Sequence, residues 1–199
     1  GKAQSAQDAI NYAYNQGSIV VACGGYTTTG CPTLGFRYPI AYDNVIGMGV
    51  LENDAVNMRL NSIVSSKIDL LGSRTATFPA IVNGQYSYIW SMHTSGTTAM
   101  TAGIISLLKA QYPTWTNDQI VNQLFITAIN KDDANTTNNC NFDFTGLIGH
   151  GLVDAEFALL FNGTVDRDLI WNKDIKVYHS IIVQAGKKLT LKDGTNLSF

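Results

Sequence analysis

Residues 18–25, SIVVACGG, decide the fold class. A short run of apolar, mostly β-branched residues that stops at two glycines is typical of a parallel strand buried on both faces. The segment before it, residues 3–16, places its apolar side chains on one helical face and is followed by Gly17, a common helix stop. A helix followed by a buried strand is half of a βαβ unit, so the sequence predicts an α/β fold.

Further elements of the same kind follow along the chain. Residues 45–51 and 67–71 are short apolar runs that predict two more strands. Residues 97–111 are apolar around almost the whole helical circumference, which predicts a helix buried on most sides. Residues 116–119, TNDQ, match the capping-box pattern at the start of a second helix. A short apolar helix is predicted within residues 153–161.

The pattern changes after Phe161. Residues 170–199 alternate polar and apolar side chains, and Ala185-Gly186 and Asp193-Gly194 are turn signals. We therefore expect two units, residues 1–161 and a β-rich appendage at residues 162–199 that continues in the natural protein.

Composition excludes several classes of protein. The 199 residues carry 13 Lys and Arg against 15 Asp and Glu, a net charge of −2, which argues against a nucleic-acid partner. A hydrophobic content of 45% argues against disorder. No apolar run approaches the roughly 18 residues that a membrane span needs.

The cysteines and acidic residues give two expectations about cross-links and metals. Cys23 and Cys31 are close enough in sequence to staple one loop, so they form either a disulfide, which implies an oxidising compartment, or two buried thiols. No C-x-x-C pattern predicts zinc. Asp132-Asp133 and the asparagines at 135, 138 and 139 could offer oxygen atoms to calcium, but a solvated loop is the simpler interpretation. We therefore predict no metal site and no cofactor.

The order of the elements resembles the second half of a subtilisin-like serine protease, or subtilase. The resemblance covers residues 3–161 and rests on four segments: 18–25 with its two glycines, 38–50 with YP and NVIGMGV, 102–120, and 149–155, GHGLVDA. It implies a parallel sheet flanked by helices, of which this chain holds only part. It also implies a peptide or protein substrate and a secreted, cell-surface or periplasmic location of bacterial type.

The same resemblance assigns the nucleophile. Counting back from Ala102-Gly103 places Ser95 at the position of the catalytic serine. A shifted register would align residues 96–98 with the family's Gly-Thr-Ser, but it deletes three residues from a packed helix. A serine at a helix N-terminus also gains from the positive end of the helix dipole and from free backbone N–H groups.

Three positions depart from the family pattern at the active site. Gly25 stands at the oxyanion position, where the family has an asparagine. Ala99-Met100 replaces the family's Pro-His, and residues 72–74, GSR, replace its Ala-Pro-Gly. These departures favour a second hypothesis, in which the fold is a catalytically inactive module that binds peptides or glycans.

No complete catalytic triad can be assembled from this chain. Subtilases carry Asp and His before the serine, and no segment before Ser95 matches those motifs. His93 is two residues from Ser95 and is expected in the substrate cleft or on the surface, His150 in the closing turn, and His179 in the appendage. We therefore expect the missing N-terminal half of the domain to supply the Asp and His, and this chain alone to be inactive.

Aromatic residues offer a further site for a peptide. Tyr86, Tyr88 and Trp90 alternate in a poorly patterned stretch and line either a peptide groove or an ordinary strand. An unrelated α/β ligand-binding domain would fit the composition but not the ordered landmarks.

Overall fold

The computed structural model describes residues 1–73, 77–90, 93–134, 140 and 142–199. Its helices are α1 Gln4–Asn15, α2 Thr94–Gln111, α3 Asn117–Thr127 and α4 Ala155–Leu160. Its strands up to α2 are β1 Val20–Cys23, β2 Thr33–Leu34, β3 Val45–Leu51, β4 Ile63–Val64, β5 Leu70–Ser73, β6 Thr77–Val82 and β7 Gln85–Trp90. After α4 follow β8 Thr164–Val165, β9 Leu169–Trp171, β10 Ile175–Lys176, β11 Ile182–Val183, β12 Leu189–Leu191 and β13 Leu197–Ser198.

A parallel sheet in the order β1-β3-β5 forms the centre and confirms the predicted α/β class. Every residue of β3 is buried, and this strand has the bounds that the sequence predicts. Helix α1 packs on one face of the sheet, while α2 and α3 pack on the other. Within β1 only Ala22 is fully buried, because among the described strands β1 pairs with β3 alone.

Strand β5 begins later than predicted because Asp69 acts as a connector. The Asp69 carboxylate accepts a hydrogen bond from the N–H of Gly47 at 2.8 Å, and the Asp69 N–H donates to the Gly47 carbonyl at 2.8 Å. These bonds join the turn to β3 before the regular ladder begins at Leu70. Burial raises the pKa of the Asp69 carboxyl, and the bond from Gly47 opposes that shift.

Helix α2 differs from its prediction in both start and burial. It begins at Thr94 because His93, in extended conformation, occupies the N-cap position. One face, which includes Ile105 and Leu108, is buried on the sheet. The opposite face leaves Met100 43% and Leu107 55% exposed, so the prediction of a helix buried on most sides is wrong for the described chain. No described element covers that face.

Helix α3 begins as the sequence predicts. Thr116 Oγ1 accepts a hydrogen bond from the N–H of Gln119, and Gln119 Oε1 accepts one from the N–H of Thr116. This reciprocal capping box satisfies two amide groups that have no partner inside the helix. Asp154 caps α4 in a similar way by accepting from the N–H of Phe157 at 2.8 Å.

The poorly patterned stretch before α2 contains an antiparallel hairpin of β6 and β7. Its turn is Asn83-Gly84, and both residues have positive φ, 50° and 77°. An Asn-Gly pair is a strong sequence signal for a two-residue hairpin turn. The alternation of Tyr86, Tyr88 and Trp90 after this turn belongs to β7.

The C-terminal strands form three parallel pairs, β8 with β11, β9 with β12 and β10 with β13. Residues 164, 169 and 175 lie opposite residues 182, 189 and 197, so the chain makes two successive coils of similar length. The first coil buries Val165 and Trp171 against α3 and α4, and Trp171 Nε1 donates to the Ile126 carbonyl at 2.9 Å. The β-rich appendage thus packs directly on the helices.

The disulfide joins Cys31 to Cys140, with Cα atoms 5.9 Å apart, and Cys23 is a free thiol. Both alternatives that the sequence left open, a Cys23–Cys31 bridge and two buried thiols, are therefore wrong. Cys23 is held inside the sheet opposite Met48, whereas the loop after β1 carries Cys31 to the polar segment that contains Cys140. Proximity in sequence was a poor guide because the partner lies 109 residues away.

The described residues offer no metal cluster of three or more His, Cys, Asp or Glu side chains. Asp132 is engaged by Lys192 Nζ at 2.7 Å and by Asn172 Nδ2 at 2.9 Å. The asparagines at 135, 138 and 139 lie outside the described residues. None of the described helices combines the length and the apolar character that a membrane crossing requires.

Candidate active site

Ser95 is the second residue of α2 and is exposed. Its hydroxyl has no hydrogen-bond partner among the described residues. The first N–H groups of a helix lack partners inside the helix and carry the positive end of its dipole. Ser95 therefore combines a free hydroxyl with a local field that stabilises negative charge.

The alternative register, which aligns residues 96–98 with the family's Gly-Thr-Ser, relies on hydroxyl groups that already donate hydrogen bonds to backbone carbonyls. Thr98 Oγ1 donates to the carbonyl of Thr94 at 2.8 Å, one turn back in its own helix. Thr97 is buried, and its Oγ1 lies 2.8 Å from the Thr94 carbonyl and 3.3 Å from the Gly49 carbonyl. Both threonines anchor the first turn of α2, which leaves Ser95 as its exposed hydroxyl.

Gly72 on β5 determines how closely the first turn of α2 approaches the sheet. A Cβ at this position would overlap Thr97 Cβ and lie 2.6 Å from Thr97 Cγ2. The glycine is therefore a packing requirement at one of the segments that departs from the family pattern. Arg74, in the same segment, lies outside the described residues.

The loop after β1 brings Gly25 to the same region. The Gly24 N–H donates to the Met48 carbonyl at 2.8 Å, and Gly25 has a φ of +92° that favours glycine. The next residue, Tyr26, contacts His93 with ring centroids 5.5 Å apart. This contact joins the loop that carries Gly25 to the residue that precedes α2. Gly25 itself supplies only backbone groups.

Arg37 also belongs to this region, although no sequence motif identifies it. Its Cδ lies 3.4 Å, and its Nε 3.8 Å, from the position that a Cβ on Gly25 would occupy. The side chain is exposed and crosses over Gly25. No motif spacing signals this contact, because β2 and the loop after it bring Arg37 back beside β1.

The three histidines lie in the elements expected from the sequence. His93 is exposed beside Tyr26. His150 lies in the closing turn, and its ring stacks on that of Phe125 with centroids 4.1 Å apart. His179 lies in the appendage, with its ring centroid 6.0 Å from that of Phe161. Because Ser95 Oγ has no partner in the described part of the chain, none of the three acts on it as a base in this structure.

His150 gives the fold a pH dependence of its own. Burial, with a smaller contribution from Lys173, lowers the pKa of His150 to about 3. The unfolded value is about 6.5, so the neutral ring stabilises the fold above that pH, and the contribution is lost as pH falls towards about 3.

We expect His150→Phe, which keeps a flat ring over Phe125, to remove this dependence. In the complete domain the unmodified protein should lose roughly 3 kcal/mol more unfolding free energy than the variant between about pH 7 and pH 4. Urea denaturation at a series of pH values measures the difference. If the unfolding free energies of the two proteins changed with pH in parallel, the assignment of this pH dependence to His150 would be contradicted.

Exposed aromatic side chains lie on the hairpin that precedes α2. Tyr86 is 93% exposed and Tyr88 74% exposed. Trp90 is the third of the alternating aromatic residues, and its side chain lies outside what the structure describes. Both tyrosines belong to the hairpin ladder, with Tyr86 opposite Ile81 and Tyr88 opposite Pro79, and neither is buried in a core of the described chain.

A cavity of about 300 Å³ lies elsewhere, between α3 and the first coil. It is lined by aromatic and amide side chains that include Trp115, Asn122 and Phe161. Ser95, Gly25 and Arg37 do not line it. Ser95 and Arg37 are exposed, and Gly25 is half-buried.

The amino-acid sequence is similar to one family model and to curated proteases. The model of the Subtilase family matches residues 1–151. Subtilisin DY of Bacillus licheniformis is 27% identical over 152 residues, which cover 76% of this chain and 50% of the relative. M-protease of Shouchella clausii is 31% identical over 157 residues, which cover 76% of this chain and 35% of the relative.

Solved structures show the same fold. A protease from Pseudoalteromonas arctica superposes with a TM-score of 0.65 at 23% identity, covering 80% of this chain and 47% of that one. MycP1 from Mycobacterium smegmatis superposes with a TM-score of 0.58 at 20% identity, covering 77% of this chain and 45% of MycP1. The chain thus spans half or less of the length of these relatives.

Proposed function

Because this chain belongs to the subtilase family, we propose that it forms the nucleophile-bearing half of a serine endopeptidase domain. Ser95 is the nucleophile, and the N-terminal half of the domain supplies the aspartate and the histidine. The observation that carries the proposal is the exposed, unengaged hydroxyl of Ser95 at the start of an 18-residue helix, beside the loop that holds Gly25.

The surfaces that remain uncovered support a second half. Met100 and Leu107 leave an apolar face of α2 in water, and β1 has one edge without a strand among those described. Covering apolar surface stabilises a fold by about 25 cal/mol per Å². A segment that adds a strand beside β1 and packs on α2 would satisfy both surfaces.

The proposed reaction is acyl transfer. Ser95 Oγ attacks the peptide carbonyl carbon while its proton passes to the imidazole base of the N-terminal half. The carbonyl electron pair moves to oxygen, and the resulting oxyanion faces the N-terminus of α2. When this intermediate collapses, the C–N bond breaks and the imidazolium protonates the departing amine. Water then hydrolyses the acyl-enzyme by the same steps.

We also propose that the protein works outside the cytosol. Its Cys31–Cys140 disulfide supports this location, because disulfides persist in oxidising compartments and are rare in the reducing cytosol.

Replacing Ser95 with alanine tests the nucleophile. In the complete domain, Ser95→Ala should lower kcat for peptide hydrolysis by about 10⁴–10⁶-fold, with little change in stability. Thr98→Ala is the matched control, because it removes the hydroxyl that the alternative register would use. The proposal requires Thr98→Ala to keep most of the activity. Loss of activity in Thr98→Ala with retention in Ser95→Ala would overturn the assignment.

A second candidate function is binding of peptides or glycans without catalysis. It is favoured by Gly25, which provides no side-chain donor, and by the exposed Tyr86 and Tyr88. Retention on a peptide or glycan array that is lost in Tyr86→Ala, from a folded domain without hydrolytic activity, would support this function over the peptidase.

A further inference from the structure

Arg37 is placed over Gly25 by backbone contacts on both sides of it. Before it, β2 pairs with β4, and the Gly35 N–H donates to the Val64 carbonyl at 3.1 Å. After it, the Arg37 carbonyl accepts the N–H of Ala41 at 3.1 Å. Ile63, on β4, lies 3.5 Å from the same Cβ position at Gly25 that Arg37 approaches. The aliphatic part of Arg37 therefore shares a small surface with Gly25 and Ile63.

The guanidinium of Arg37 is an uncompensated charge. The part of the chain that the structure describes gives its side chain no ion pair and no hydrogen bond. An arginine keeps its positive charge at every physiological pH and presents five N–H donors. An exposed arginine held by its stem, with its donors unused, is available to an anion that forms in front of it.

That anion is expected beside the same loop. The contact between Tyr26 and His93 joins the Gly25 loop to the start of α2, where Ser95 lies two residues later. Attack by Ser95 on a carbonyl moves an electron pair onto the carbonyl oxygen. The N-terminus of α2 offers backbone N–H groups to this oxygen, but Gly25 offers no side chain.

We propose that Arg37 is a catalytic residue whose guanidinium donates a hydrogen bond to the oxyanion formed when Ser95 attacks the substrate. The inference rests on the proposed peptidase function and explains how a site with glycine at position 25 remains competent. Hydrogen bonds between charged partners are about twice as strong as neutral ones, so one guanidinium can replace a neutral amide donor. The charge of Arg37 matters in the transition state and not in the ground state, because the carbonyl oxygen becomes anionic only during attack.

Three variants of the complete domain separate charge from packing. Arg37→Met keeps an unbranched stem over Gly25 and removes the N–H donors. It should lower kcat by about 10²–10³-fold, which is the loss that removal of one oxyanion donor causes in subtilisin. KM should be almost unchanged. Arg37→Lys keeps a positive charge and should lose less. Lys187→Ala removes an exposed charge in the appendage and should behave like the unmodified protein.

Chemical rescue provides a readout that a structural role would not change. Arg37→Ala removes the stem as well and leaves room for an added molecule, so ethylguanidinium should restore part of its kcat in a saturable manner, and ethylammonium should restore less. Equal kcat for Arg37→Met and the unmodified enzyme would overturn the inference while leaving Ser95 as nucleophile. A loss in Arg37→Met that lies entirely in KM, or a loss in Arg37→Ala that ethylguanidinium does not relieve, would also overturn it. An unmodified domain that is folded and inactive would refute the peptidase function, and the inference with it.

Discussion

Replacing Gly151 with alanine is expected to prevent stable folding of the domain. A Cβ on Gly151 would overlap the carbonyl oxygen of Ile129, and the φ of +124° is one that side-chain-bearing residues rarely adopt. The carbonyl of Gly151 also accepts the N–H of Leu71 at 2.7 Å, so the backbone cannot move away without breaking the junction with β5. We expect a loss of more than about 4 kcal/mol in unfolding free energy.

A matched variant separates the overlap from the backbone conformation. Gly146 also has a positive φ, 73°, but a Cβ there meets nothing within 4 Å. Gly146→Ala should therefore cost only the conformational strain, about 1–2 kcal/mol. Soluble yield and urea denaturation of the complete domain measure both variants. Similar stabilities for the two alanine variants would show that the close approach at residue 151 is not a constraint.

Removing the disulfide is the second change with a large expected effect. The Cys31–Cys140 bond closes a loop with a sequence separation of 109 residues, and a loop of this length restricts the unfolded chain strongly. The chain-entropy treatment gives about 4–5 kcal/mol for its loss. We expect Cys31→Ser with Cys140→Ser to unfold at a much lower urea concentration than the unmodified domain.

The free thiol provides the control for this experiment. Cys23 is half-buried at the end of β1, and Cys23→Ser should have a much smaller effect. Dithiothreitol should lower the urea midpoint of the unmodified domain and of Cys23→Ser, but not that of the double variant. A reductant-insensitive midpoint in the unmodified domain would contradict a stabilising role for the disulfide.

The parts of the fold that the sequence predicted are those governed by local patterns. Strand β3 could be bounded because seven consecutive residues are buried between two neighbouring strands. The start of α3 could be located because a capping box involves only Thr116 and Gln119. In both cases the determining contacts lie within a few residues or follow from complete burial.

The features that escaped prediction depend on contacts between distant segments. The partner of Cys31 lies on another loop, and Arg37 reaches Gly25 only through the pairing of β2 with β4. The exposed face of α2 depends on which other segments pack on the helix and cannot be seen in the apolar pattern of the helix itself. Ser95, by contrast, could be proposed from sequence because the family resemblance assigns it by its spacing from Ala102-Gly103, and all three residues lie in the uninterrupted helix α2.

Identification of the residue that reacts with a fluorophosphonate tests the central claim most directly. Such probes form a covalent bond with a serine only when a base and an oxyanion site activate it. The complete domain would be labelled, digested and analysed by mass spectrometry to locate the adduct. We predict a single adduct on Ser95. An adduct on another residue, or no adduct in a protein shown to be folded, would contradict the assignment of this chain as the nucleophile-bearing half of a peptidase.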